Sequence, residues 1–490
     1  QKRTKKQLKL LYLSISSILY VLSFSPFDYK FSIFFSLLLL FYVLDDLSVR
    51  DKVRAMLYFS VGFHLIGVSW ISHSLINYSS LGYLLSYVIT FIVAIIISLP
   101  YALVGLHQSA SKNGFINLCF IASLFVVAEY LKSVVFGGFP WLLIGHTQNS
   151  TAFDFVYPFF GSLAVSYLVV LVSLSFYMAI VHSRKFYISL SIVGLLMYSL
   201  TNKDHNFLTP LQTNYVSFVL YQPNIYPDDS YDSNRHSPLM EKYNNILIDN
   251  QSSDLVIFPE TIISSPYDKN NPLYKYFQSS TNKSNLLISG LFSFKNNQYY
   301  NSMIFFSDDT KTYSKRKLVP FGEYTPWYNT LVNLSENLNI PLSNLSHGSK
   351  EIDQISFGNI NLIPMICFES NFPNLIKSST DNEIIINISN DGWFGKTLAP
   401  HQHLQITQIR ALEFNRYILR ATNTGISAVI NNQGQVIDML ENNVEGILKG
   451  QIPTTMTRSF YSQYGDLSIL MLIFLSLLIK SFNIATKYHE

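Results

Sequence analysis

Charge is scarce in this sequence. Asp, Glu, Lys and Arg together make up 13% of 490 residues, about half the share of an ordinary soluble domain. Cysteine is scarcer still, with two residues, Cys119 in an apolar run and Cys367 far away in a polar half. That count and separation argue against a disulfide framework and leave Cys367 as a free thiol. The net charge of +3, with no basic patch interleaved with aromatics, argues against a nucleic-acid partner. No Gly-rich phosphate loop follows a strand-like run, and no Gly-x-Ser-x-Gly elbow is present. His401 and His403 suggest a metal pair at first sight. Residues two apart on a helix point to nearly opposite faces, so we read them as a polar helix start. No metal and no cofactor is expected.

Apolar residues, by contrast, are abundant: 49% of the chain, with 37 Phe and 32 Tyr. This is the composition of a membrane protein. Apolar runs lie at 8–27, 31–44, 55–75, 81–106, 116–135, 153–181 and 187–200. A span needs roughly 20 such residues, so the second and seventh are short. The basic cluster Lys2, Arg3, Lys5 and Lys6 precedes the first run, but no small-residue cleavage site follows, and we expect an uncleaved span. Further basic residues fall in alternate loops: Arg50, Lys52 and Arg54, then Lys112, then Arg184 and Lys185. The positive-inside rule then puts the N-terminus in the cytoplasm and the chain after Leu200 on the opposite side.

Glu129 stands out in its apolar run, either as a functional intramembrane carboxylate or as an interfacial partner of Lys132. The glycines, proline and tryptophan of Phe136-Gly-Gly-Phe-Pro-Trp-Leu142 suggest a broken segment at the outer interface.

From about Asn214 the texture changes. Short β-rich runs at 215–221, 255–258, 286–294, 303–306, 360–366, 384–388 and 427–430 alternate with polar turns. Continuous apolar runs of strand length fit sheets buried on both faces. Helical stretches at 238–248 and 401–417 would cover them, giving a layered α/β domain. A last apolar run at 467–482 reads as a returning span. The expected organisation is a multi-pass α-helical membrane domain of about seven transmembrane helices over 1–205, an α/β domain over 213–455, and a C-terminal transmembrane helix over 464–483.

Three stretches place reactive groups at strand ends: Leu255-Val-Ile-Phe-Pro-Glu260, Ser314-Lys-Arg-Lys317 leading into Phe321-Gly-Glu323, and Pro364-Met-Ile-Cys-Phe-Glu-Ser370. Separately each has an ordinary reading: a turn, a solvated edge, a buried small hydrophobe. Together they supply a thiol acyl-transfer site. A thiol near pKa 8.5 needs a base, a carboxylate in a low-dielectric pocket can accept its proton, and an ammonium can both lower the thiol pKa and stabilise an oxyanion. The backbone N–H of Phe368 is a plausible second oxyanion donor. No histidine is close in sequence, which weakens a papain-like Cys–His reading.

The order Pro-Glu, Lys-x-x-Leu, then Cys at a strand end resembles the nitrilase, or carbon–nitrogen hydrolase, superfamily. Longer strings are similar to its membrane branch, the apolipoprotein N-acyltransferases. Those strings are Gln222-Pro-Asn-Ile225, Leu318-Val-Pro-Phe-Gly-Glu-Tyr-Thr-Pro326, Ile366-Cys-Phe-Glu369, Asn387-Ile-Ser-Asn-Asp-Gly-Trp-Phe-Gly395, His401-Gln-His-Leu-Gln405 and Arg420-Ala-Thr-Asn-Thr-Gly425. Phe24-Ser-Pro-Phe27, Gly138-Phe-Pro-Trp141 and Tyr464-Gly-Asp466 extend the likeness over nearly the full length.

The resemblance implies an αββα sandwich with Glu260 as general base, Lys315 rather than Lys317 for the oxyanion, and Cys367 as nucleophile. Glu323 and Glu369 would position the triad or the entering amine. Phe368 stands where the family usually has Tyr, and Tyr231 where it often has Trp. It further implies a bacterial inner (cytoplasmic) membrane protein with its catalytic domain periplasmic. The acyl donor would be a membrane phospholipid, and the acceptor the N-terminal diacylglyceryl-cysteine of an apolipoprotein. Tyr231, Trp327, Tyr328 and Trp393 are expected to contact substrate. Trp327 and Tyr328, with Leu331, Val332 and Leu334, would form an arm over a lipid entrance, or else a surface helix packed on its apolar side. Both substrates are held in the bilayer, so tethering the site beside it raises their effective concentration. The alternative is a membrane-tethered nitrilase-type amidase that cleaves a C–N bond with water. A transporter or lipid-binding scaffold with a dead nitrilase domain would have lost a triad member, and all three are present.

Overall fold

The computed structural model describes residues 2–79, 81–107, 114–182, 214–226, 236–262, 266–267, 275, 277–278, 285–325, 344–350 and 354–489. The chain divides into two compact units, Gln1–Ser72 with Tyr83–Phe207 and Ser459–Glu490, and His73–Gly82 with Leu208–Arg458.

The first unit is helical. Three helices, Gly82–Leu106, Gly114–Gly137 and Tyr157–Val181, are long and apolar enough to cross a membrane among the described residues, with a fourth if Val49–Gly67 and Trp70–Tyr78 count as one broken span. The sequence reading expected about seven such helices in this region and one more at the C-terminal end. Ser32–Asp45 is apolar but shorter; fourteen residues of helix rise only about 21 Å, less than a hydrocarbon core, whereas the C-terminal helix Leu467–His489 has 23 residues. Lys2–Leu22 carries its basic cluster into the helix itself. The run 187–200 lies outside the described residues. Glu129 and Lys132 are both buried and end on the backbone of the Gly/Pro/Trp stretch and the turn just after it. Glu129 Oε1 accepts from the Ile144 amide at 2.6 Å and Lys132 Nζ donates to the Trp141 carbonyl at 2.8 Å. Two buried polar side chains thus bond to a segment whose own backbone groups need partners.

The second unit is a double-sheet sandwich. Its strands are β1 (Tyr215–Gln222), β2 (Leu255–Ile257), β3 (Pro266–Tyr267), β4 (Leu286–Lys295), β5 (Gln298–Phe306), β6 (Lys311–Ser314), β7 (Ser356–Phe357), β8 (Ile360–Ile366), β9 (Glu383–Ser389), β10 (Ile418–Thr422), β11 (Ala428–Ile430), β12 (Val436–Met439) and β13 (Gly446–Pro453). One sheet runs β13-β1-β2-β4-β5-β6, with β3 on β4; the other runs β12-β11-β10-β9-β8-β7. The central pairs β1/β2, β2/β4, β8/β9 and β9/β10 are parallel. Alternate residues of a strand face opposite sides, and here both sides are dry. Val216, Phe218 and Leu220 of β1 join Ile384, Ile386 and Ile388 of β9 in one core between the sheets. Val219 and Tyr221 of the same strand pack instead with Tyr243 and Leu247 of the His236–Asp249 helix. The Ala399–Phe414 helix, itself almost wholly buried, is the second covering helix. The strand-like runs lack polar alternation for this reason.

β10 is a strand that the sequence reading passed over. Its central Arg420 is fully buried, so the segment does not look apolar. Arg416, just before it, is buried as well. It pairs with Glu383 at 3.2 Å and donates to the carbonyls of Thr380, Met456 and Thr457, tying the last stretch of the unit to the start of β9. Arg416→Met should leave the Glu383 charge buried and unpaired, at a cost of about 3–5 kcal/mol. Thermal unfolding of the solubilised chain should show a Tm lowered by on the order of 10 °C.

Candidate active site

Glu260 follows β2 after Phe258-Pro259, and β4 passes close beside it. Gly290 N donates to the Pro259 carbonyl at 3.1 Å, and a Cβ on Gly290 would lie 2.5 Å from Glu260 Cα. Only glycine fits there. Lys315 follows β6, where its amide extends the pairing with β5 by donating to Asn301 O at 2.8 Å. Glu323 closes a turn in which its Oε2 accepts from Val319 N at 2.8 Å.

These three meet. Lys315 Nζ lies 3.2 Å from Glu260 Oε1 and 2.9 Å from Glu323 Oε1. Asn301 Nδ2 reaches the same two oxygens at 2.6 and 2.7 Å. Two donors and two carboxylate oxygens therefore form a closed square, with Lys315, 1% exposed, at one corner. Asn390 N donates to the other Glu260 oxygen at 2.8 Å. Burial opposes the Lys315 ammonium, but Glu260 and Glu323 outweigh it and hold the pKa well above the usual lysine value. The ammonium is a fixed donor, and no base.

Cys367 begins the short helical turn after β8 with φ +48°. A non-glycine residue rarely adopts this left-handed conformation, and such strain clusters at functional turns. Burial and then the Glu260 charge push the Cys367 thiol pKa up; Lys315 and a hydrogen bond from Ser389 act the other way and are outweighed. The sequence reading let the ammonium lower the thiol pKa. In the folded site that pull exists but loses to burial, so the resting group is the neutral thiol.

Glu369 lies apart from the square. Its Oε2 accepts from Ile366 N at 2.9 Å, and its Oε1 from Arg316 N at 2.7 Å and Lys317 N at 3.2 Å, with the Tyr313 hydroxyl on both oxygens. It clamps the lysine segment to the Cys367 turn. Lys317 points elsewhere, its Nζ 4.4 Å from the centroid of the Phe372 ring. Phe368 is buried and packs its ring on Phe372 at 5.1 Å. Trp393 is partly exposed and packs edge-on against Tyr78 at 4.8 Å, while its carbonyl accepts from Ser74 Oγ at 2.7 Å. Tyr231, Trp327, Tyr328, Leu331, Val332 and Leu334 lie outside the described residues.

The comparisons with known proteins agree in both halves of the chain. Residues 16–175 match the family model described as apolipoprotein N-acyltransferase N-terminal domain, and residues 220–461 match the one described as carbon–nitrogen hydrolase. The chain is 30% identical over 472 residues to a Haemophilus ducreyi protein named apolipoprotein N-acyltransferase, covering 93% of this chain and 92% of that one. The chain belongs to the apolipoprotein N-acyltransferase family. A Pasteurella multocida protein of the same name is 27% identical over 508 residues, covering 98% of this chain and 97% of that one. Among solved structures, an amidase of the nitrilase superfamily from Nesterenkonia AN1 is similar with a TM-score of 0.38 at 14% identity, over 54% of this chain and 98% of that one.

Several residues at the site of this family member had no role assigned from sequence. Asn301 gave no signal; it is one polar residue in a run of strand. Asp391, His403 and Arg420 lie within strings noted for their resemblance, but His403 was read as part of a polar helix start. It does sit at the start of the Ala399–Phe414 helix, yet it is 1% exposed. Its Nδ1 is 2.9 Å from Asp391 Oδ1, and Arg420 Nη2 donates to Asp391 Oδ2 at 2.9 Å. Burial alone would raise the Asp391 pKa, but His403 and Arg420 prevail and bring it down to about 2.

An ordinary thiol gains reactivity as pH approaches 8.5 and then levels off. With its pKa raised, Cys367 should show no inflection there. Iodoacetamide labelling of the Cys367 peptide, followed by mass spectrometry from pH 6 to 9.5 beside glutathione, checks this; a plateau near pH 8.5 would show that the thiol is not held neutral.

Proposed function

We propose that this chain, an N-acyltransferase of lipoprotein maturation by its family, works through a thioester on Cys367. The donor is a membrane phospholipid and the acceptor is the free α-amine of an apolipoprotein's diacylglyceryl-cysteine. The observation that carries the reading is the buried Lys315 ammonium shared by Glu260 and Glu323, in the electrostatic reach of a neutral thiol.

In the first half, Glu260 takes the thiol proton as Cys367 Sγ attacks the sn-1 ester carbonyl. The oxyanion of the tetrahedral intermediate is met by Lys315 Nζ and the Phe368 N–H. Collapse breaks the ester C–O bond, and Glu260 returns the proton to the departing lysophospholipid hydroxyl. In the second half the α-amine attacks the thioester carbonyl and passes its proton to Glu260. The C–S bond breaks, and the thiolate recovers the proton. Splitting the transfer in this way predicts ping-pong kinetics. A thiol held neutral until substrate arrives requires such a base, and an ammonium that stays protonated suits the oxyanion role.

Glu323 and Asn301 hold the lysine and the base in register, and Glu369 holds the nucleophile turn. The N-terminus is cytoplasmic and the catalytic unit periplasmic in this reading, supported by the distribution of Lys and Arg among the loops. The closed square with Lys315 at one corner, and the turn of Lys317 onto Phe372, support Lys315 as the oxyanion lysine.

Cys367→Ala should abolish acyl transfer in a chain that remains folded. Lys315→Met should lower turnover by at least a hundredfold, about the effect of losing an oxyanion donor, and Lys317→Met by far less; the reverse order would transfer the role. Incubation with phospholipid alone should leave an acyl mass on the Cys367 peptide, discharged by a diacylated lipopeptide. Discharge by water with no preference for the lipopeptide would make the chain a hydrolase.

A further inference from the structure

The mechanism above assigns the Phe368 N–H to the oxyanion and leaves open what fixes that amide. The same peptide unit carries the carbonyl oxygen of Cys367, and His403 Nε2 lies 3.1 Å from it. We propose that His403 is a positioning residue for the oxyanion step: by donating from Nε2 to the Cys367 carbonyl it sets the plane of the Cys367–Phe368 peptide and polarises its N–H. The proposal rests on the thioester reading above.

A carbonyl oxygen can only accept, so Nε2 carries a proton toward Cys367 O; the ionised Asp391 carboxylate facing Nδ1 can likewise only accept, so Nδ1 donates as well. Ser370 Oγ is 2.9 Å from Nε2, and its hydroxyl can rotate to accept as well. Nδ1 donates to Asp391 Oδ1 at 2.9 Å, and Arg420 Nη2, 3.1 Å from that nitrogen and itself a donor, is satisfied by Asp391 Oδ2. Asp391 is in turn held by Arg420, and its Oδ1 accepts from Ser389 Oγ at 3.0 Å. A Cβ on Gly425 would lie 2.4 Å from Asp391 Oδ2, so the network has no room to shift on that side.

Arg420 also donates to Asn387 Oδ1, and Asn387 Nδ2 donates to Met365 O at 3.0 Å. One buried cation therefore fixes both the imidazole and the strand two residues before the nucleophile. The imidazole ends on a peptide oxygen, not on the sulfur. It does not act as a papain-like base; it acts on the one peptide that Cys367, at φ +48°, presents in an unusual orientation. A hydrogen bond received at the carbonyl strengthens the donor at the other end of the same amide, because bonds in a chain polarise one another.

The test compares three variants of the full chain in detergent. In His403→Gln the side-chain amide reaches the place of Nε2 and keeps a donor. In His403→Asn it reaches only the place of Nδ1, and His403→Leu has no donor at all. Two rates are read on the Cys367 peptide by mass spectrometry: single-turnover acylation by dioleoyl-phosphatidylethanolamine in mixed micelles, and alkylation by iodoacetamide, a displacement that forms no oxyanion. Acylation should fall about tenfold to a hundredfold in His403→Leu and His403→Asn, less than the loss of a whole oxyanion donor. It should stay within about threefold of the parent in His403→Gln, as expected if one donor at the Nε2 position suffices. Alkylation should be the same in all four proteins.

Unchanged acylation in His403→Leu overturns the proposal. So does a parallel fall in both rates, which would mean that His403 acts on the thiol or on packing, and so does a His403→Gln protein as slow as His403→Leu. Absence of any acyl-enzyme in the parent chain would instead overturn the thioester reading, and this inference with it.

Discussion

An ammonium inside a protein survives only if something cancels its charge and meets its donors. Burying one ion alone costs several kcal/mol. Lys315 meets that condition with two carboxylates at 2.9 and 3.2 Å, and the rest of the site follows from the arrangement. Glu260 comes from the end of β2, Lys315 from the end of β6 and Glu323 from the turn after it, so each partner arrives on a different piece of backbone. Asn301 on β5 joins the two carboxylates from the other side. One cation between two carboxylates leaves a formal excess of negative charge, which disfavours a thiolate nearby. Burial and that excess keep the Cys367 thiol neutral.

Backbone geometry supports this electrostatic centre. The two sheets bury their facing surfaces against each other and their outer surfaces under helices, so the strand ends are set by packing on both sides. Gly290 lets β4 pass within contact of Glu260. Glu369 spends both its oxygens on the Ile366, Arg316 and Lys317 amides and on Tyr313. Cys367 is thereby held in a conformation that an unconstrained cysteine avoids.

Much of the fold was legible because its burial is extreme. Strands with both faces covered appear as unbroken apolar runs, and 360–366 and 384–388 were readable on that ground alone. β10 was not, because Arg420 at its centre is a buried cation paired with Asp391 and Asn387. A sequence shows the charge and not the partner. His403 failed for the same reason: a histidine in the first turns of a helix reads as solvated until Asp391 and the Cys367 carbonyl are seen on either side of it. In the helical unit, apolar length was legible while the break after Gly67 was passed over, since the apolar run continues through Val68 to Leu75.

By itself the sequence determined which chemical groups are available and in what order: a carboxylate after a strand, two nearby lysines, one thiol outside the apolar half, and apolar runs in number. Local residue type and hydrophobic continuity suffice for that. Residue parity does not separate Lys315 from Lys317, because two residues apart along extended chain they face the same way. Only the tertiary structure put one between two carboxylates and the other on a phenylalanine ring. It also decided that Asn301 joins Glu260 and Glu323, and that Asp391 and Arg420 stand behind the His403 that meets the Cys367 carbonyl. Those contacts join residues brought together by strand pairing and helix packing, and their energies exist only after burial has removed the water that would otherwise have bonded each group separately.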